Sequence, residues 1–184
     1  MSTLEKLKRF QALDIDFSAI GLEQAENAAY FCTPVGAEYI GWIGCDGVHF
    51  VLLPGDERVF CVDPMIMEEG RYVLPVAESF QEFLSFVLFC RDANPLTWLS
   101  WMEEARFRQA LAEDAGETWD GCEAFFAKKN AALETIASAF GLEPEDPYEK
   151  VKALQRAFDP SGLRFSRAYY DVLGLEEPGC PQQR

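Results

Sequence analysis

The sequence predicts an α+β fold, and three observations predict it. Short β-branched or aromatic runs recur between about residues 30 and 76, Gly- and Pro-containing turns separate them, and apolar residues three and four apart fill the chain on both sides of that stretch. This is an antiparallel-rich β-meander with packed helices and a helical C-terminal half. The division expected is a sheet domain over 1–94, a helical extension over 95–177 packed on the same core, and a loose tail over 178–184.

Ser2-x-x-Glu5 is a capping-box pattern, and Leu4, Leu7 and Phe10 follow at helical spacing, which predicts a helix over about 2–12. A second short helix is expected over Leu22–Ala28. Strands are expected at Tyr30–Cys32, Tyr39–Ile43, Val48–Leu53 and Val59–Val62. Asp46-Gly47 suits a tight hairpin turn that needs positive φ, and Pro54-Gly55-Asp56-Glu57 supplies the next loop. Pro75 lacks a backbone N–H and marks Tyr72–Val76 as an edge strand or extended crossing.

Ser79-Phe80-Gln81-Glu82 is a second capping box, followed by Phe80, Phe83, Leu84, Val87 and Leu88 on one buried face. Beyond Asn94-Pro95, four helices are expected. Thr97 caps the first, with Trp98, Trp101 and Met102 on one stripe. A long helix runs from Trp119 through Cys122, Phe126, Lys129, Leu133, Ile136 and Phe140 to Gly141. Asp146-Pro147-Tyr148-Glu149 starts a third, and Ser161 caps a last one that Gly174 closes. The four tryptophans all fall at core-like positions of this pattern.

Thirty-one acidic against 16 basic side chains give a net charge of −15, a field that repels phosphate backbones and anionic headgroups. Nucleic acid and membrane surfaces are therefore disfavoured as partners, and the same field either speeds association with a basic protein or simply keeps the chain in solution. The charged N-terminus does not read as a signal peptide, and no apolar run reaches membrane-spanning length, so a cytoplasmic location is expected. The six cysteines form no Cys-x-x-Cys pair and read as reduced thiols, most of them buried.

Chemistry-bearing motifs are sparse. No dinucleotide fingerprint, phosphate loop, metalloprotease His pair or calcium loop occurs, so no cofactor and no metal are expected. His49 is the only histidine and would have to serve any nucleophilic mechanism alone, with Cys45 or Cys61 as its partner. Its position in a strand, on the same side as Val51, reads instead as a half-buried structural histidine. Among the acids, Asp56, Glu57, Glu68 and Glu69 sit in loops beside the meander and are the candidate binding face.

Three stretches, Gly47–Leu53, Val59–Pro64 and Val76–Leu84, together resemble the SUKH superfamily, which contains bacterial immunity proteins of toxin systems and Smi/Knr-type fungal cell-wall regulators. The resemblance runs over about 47–84. It implies an antiparallel-rich sheet with helices packed on it, no cofactor, and recognition of a protein ligand such as a basic nuclease toxin domain; together with the missing catalytic constellation and the acidity, it favours a non-enzymatic binding module. Two other classes stay open: a small hydrolase or transferase using His49 with Cys45 or Cys61, and a structural subunit self-associating through the C-terminal helices.

Overall fold

A computed structural model describes residues 2–24, 29–66 and 71–177. Its elements are α1 (Thr3–Gln11), β1 (Glu38–Trp42), β2 (His49–Leu52), β3 (Val59–Val62), β4 (Val73–Ala77), α2 (Phe80–Cys90), α3 (Asn94–Trp98), α4 (Glu104–Gly116), α5 (Cys122–Phe140), α6 (Tyr148–Ala157) and α7 (Arg167–Leu173). Two 3₁₀ turns, Phe17–Ile20 and Pro160–Gly162, complete them. The fold is α+β, with a four-stranded antiparallel sheet in the order β1-β2-β3-β4.

Local chemistry accounts for the boundaries. The Ser2 hydroxyl accepts the Glu5 N–H while the Glu5 carboxylate accepts the Ser2 N–H, the reciprocal cap the sequence announces. Ser79 likewise accepts from the Glu82 N–H, but the Glu82 carboxylate reaches one residue further back, to the Glu78 N–H. Asp46 and Gly47 have φ of 53° and 71°, and Val48 N–H closes the turn on the Cys45 carbonyl at 3.2 Å, joining β1 to β2.

Every residue of β2, β3 and β4 is buried, because the sheet is covered on both faces. Ile40, Phe50, Leu52, Val59, Cys61 and Val76 point into a core built with α1 to α6, including Phe10, Phe83, Phe107, Ile136 and Val151. That core draws on residues from both halves of the chain. Val51, Phe60, Val62 and Val73 point the other way, against Cys32, Tyr72, Tyr169 and the half-buried Phe158, Leu163 and Phe165. Each fully buried side chain of this size contributes about 1.5–3 kcal/mol relative to exposure.

Both sheet edges are closed. Glu23 and Trp42 exchange backbone hydrogen bonds beside β1, and Gln11 and Gln24 donate to the Tyr39 and Ile40 carbonyls. The Leu22 backbone runs so near β1 that a Cβ on Gly41 would come within 2.8–2.9 Å of it, so this approach requires glycine. At the other edge Pro75 has no N–H to leave unpaired, α6 packs on β4, and Gln155 donates to the Pro75 carbonyl.

The structure departs from the sequence reading at several points. Tyr30–Cys32 is a turn, not a strand, so the sheet begins at Glu38. Leu22–Gln24 is extended along β1, and the rest of that expected helix, 25–28, lies outside the described residues. Five α-helices follow residue 93 among the described residues, where four were expected. Thr97 lies inside α3 and donates to the Asn94 carbonyl, while Ser166, not Ser161, precedes α7. Trp42 is buried, but Trp101 and Trp119 are 64% and 47% exposed, because both lie between helices, Trp101 after α3 and Trp119 before α5, and not on a helical stripe.

Candidate functional site

The sequence-derived residues do not converge on one place. Paired residues of adjacent antiparallel strands share a face, and His49 is opposite Val62 whereas Cys61 is opposite Phe50. His49 and Cys61 therefore lie on opposite faces of the sheet. Cys45 is exposed in the β1–β2 hairpin.

His49 is fully buried, not half-buried, because the turn at 30–33 covers its face of the sheet. Its Nδ1 lies 2.7 Å from the Gly47 carbonyl, which can only accept, so Nδ1 carries the proton. Nε2 then accepts from the Thr33 hydroxyl at 3.2 Å, and Thr33 accepts from the Tyr30 N–H at 2.9 Å. Burial lowers the imidazole pKa, outweighing the Gly47 carbonyl, which favours the charged form. A bulge in β1 between Tyr39 and Gly41 brings both Tyr39 and Trp42 onto the His49 face, stacked 5.0 and 4.6 Å from the imidazole.

The thiols are correspondingly quiet. Burial pushes Cys32 up to about 12 and also raises Cys61 and Cys90, and Cys45 is raised by partial desolvation and by Asp46 beside it. Among the described residues no three His, Cys, Asp or Glu side chains gather as a metal site would require.

Of the candidate acids, Glu68 and Glu69 lie outside the described residues. The other two face different ways. Glu57 accepts a hydrogen bond from the Thr3 hydroxyl of α1, on the helix-covered side. Asp56 lines a cleft of about 610 Å³ on the opposite side.

This cleft opens beside the meander. Leu53, Phe60, Phe158 and Leu163 give it an apolar lining, the Pro34–Gly36 turn and Pro54 wall one side, and Asp159 and Gly162–Arg164 wall the other. Val35 N–H donates to the Arg164 carbonyl at 2.8 Å, tying the two walls together. Arg58 spans the cleft, its Nε 2.9 Å from Asp56 Oδ1 and its Nη2 2.7 Å from Oδ2. The guanidinium also lies 5.2 and 5.3 Å from the Phe60 and Phe158 ring centroids. Partial burial works to raise the Asp56 carboxyl, but the Arg58 hydrogen bonds outweigh it and hold the group below its ordinary value.

Such a site can accept an apolar side chain or a short extended segment, with a bidentate ion pair fixing orientation at its rim. Phe158 escaped the sequence reading because it lies a hundred positions from Arg58, and Arg58 and Phe60 because their role depends on Phe158 arriving beside them. The available signal was the Asp56-x-Arg58 spacing after a turn, which places the two side chains on one side of a strand entry. A second cleft, of about 680 Å³, lies between α4 and α6 and carries charges of both signs, among them Glu103, Glu104, Lys152 and Arg156.

No family model, curated protein or solved structure matches the chain. No helix among the described residues is long and apolar enough to cross a membrane.

Proposed function

We propose that this chain is a protein-binding module, an immunity or regulatory protein of the kind its resemblance to the SUKH superfamily implies, whose partner is a basic protein domain such as a nuclease toxin. The observation that carries the reading is the Phe60/Phe158 cleft, a preformed apolar recess whose polar rim is already oriented by the Asp56–Arg58 pair. A recess of this build receives an anchoring side chain without ordering cost on the receiving side. The net charge of −15 supports a basic partner through attraction at long range.

The test is capture of basic protein domains by the purified chain, compared with a Phe158→Glu variant. The reading expects a captured basic domain whose binding weakens at high salt and is lost in the variant while the variant's circular dichroism stays native. Capture that is indifferent to Phe158→Glu would remove the cleft from the function.

A further inference from the structure

Trp119, Phe125 and Phe126 form a third apolar cluster that belongs to neither core. Their ring centroids lie 5.4–5.7 Å apart in all three pairings. The second half of α5 is buried through Ala132, Leu133 and Ile136, whereas its first half reaches the body through the Lys128–Asp16 and Lys129–Asp92 ion pairs and leaves Phe125 and Phe126 only half-buried. Trp119 remains 47% exposed. Exposed tryptophan in contact with two phenylalanines is the composition of an interface anchor.

The surroundings select the charge of what would cover it. Glu113, Asp114, Glu117, Asp120 and Glu123 fall within eleven consecutive residues that include no Lys or Arg. Among these acids Glu113 is paired with Arg106, and the nearby Lys129 is engaged by Asp92 at 2.7 Å while lying 5.2 Å from the Phe125 ring. The Asp114 carboxyl is raised by desolvation and by the like charges of Glu117 and Asp92, so anionic repulsion next to the cluster exceeds what Lys129 neutralises.

We propose that the Trp119–Phe125–Phe126 surface docks a basic amphipathic segment of a partner protein, an aliphatic or aromatic side chain entering between the rings while flanking Lys or Arg side chains meet Asp114, Glu117, Asp120 and Glu123. The inference rests on the protein-binding reading and assigns it a second contact surface, remote in sequence from the cleft residues. A second copy of this chain fits poorly, since it would bring the same acids together.

A synthetic helical peptide of alternating Leu and Lys faces is the probe, with a Leu/Glu peptide of the same pattern and an oligolysine as controls, titrated against the full chain by fluorescence anisotropy. The Leu/Lys peptide should bind, the controls should bind at least tenfold more weakly, and Trp119→Ala should weaken binding by about thirty-fold, the loss expected of an interface hot spot. Phe126→Ser, also outside both cores, should act in the same direction with the melting curve unchanged. Val172→Ser, at an exposed position of α7 that lines neither cleft, should leave peptide binding unchanged. Equal binding by wild type and Trp119→Ala, or self-association by sedimentation that Trp119→Ala abolishes, would overturn the proposal. Because the peptide is read at Trp119 and partner capture at Phe158, failure of this surface and failure of the proposed function give different results.

Discussion

Replacing His49 with Phe should change the pH dependence of stability in a window that no other side-chain type dominates. His49 is the only histidine, and burial lowers its pKa in the folded protein. The sign follows from proton linkage. Below about pH 6.5 the unfolded chain takes up a proton that the folded chain excludes, so stability is lost as pH falls from there towards the folded pKa. The loss from this one group approaches about 1.4 kcal/mol per pH unit inside the window and stops below the folded pKa. At neutral pH the variant should itself be destabilised by about 2–4 kcal/mol, because the Gly47 carbonyl loses its partner and the Thr33 hydroxyl keeps only the Tyr30 N–H. Urea unfolding of both proteins between pH 7 and 5 supplies the assay. The gap between them should narrow as pH falls, and parallel curves would refute a neutral, sealed imidazole. Should the variant not fold, the single imidazole proton resonance of the wild type gives the same answer, since it must resist titration until the chain unfolds.

Other outcomes follow from the same structure. Gly41→Ala should force the Leu22–Gln24 segment off β1, speeding hydrogen exchange at the Glu23 and Trp42 amides, which now exchange bonds of 2.8 and 3.0 Å. Ser79→Ala should cost about 1 kcal/mol in chemical denaturation by leaving the Glu82 N–H uncapped at the start of α2. In a Cys180→Ser background, native-state alkylation should modify Cys45 first, while Cys32, Cys61 and Cys90 react only on unfolding, which mass mapping after a short pulse will resolve.

Where residues interact with near neighbours in sequence, their structure was legible. The Ser2 and Ser79 caps, the Asp46-Gly47 hairpin, the long helix ending at Gly141 and the Pro75 edge strand all rest on contacts within a few positions. Leu22–Gln24 and Tyr30–Cys32 were misread because composition there is neutral between states, and pairing with β1 or covering of His49 decides the outcome. The candidate site was less legible still. Asp56 was found by its loop position, but its partition from Glu57, one facing Arg58 and the other Thr3, depends on which element fills each side of the strand.

The sequence by itself determined the class of the fold, its turn and cap chemistry, and the strength of its negative field, since these need only local spacing and a count of charges. The tertiary structure alone decided that the sheet has two covered faces, which seals His49, separates it from Cys61, and joins Arg58 to Phe158 a hundred positions later. The physical reason is that burial is a property of what packs above a side chain, and here that layer comes from the turn at 30–33 over His49 and from the far end of the chain over Phe60.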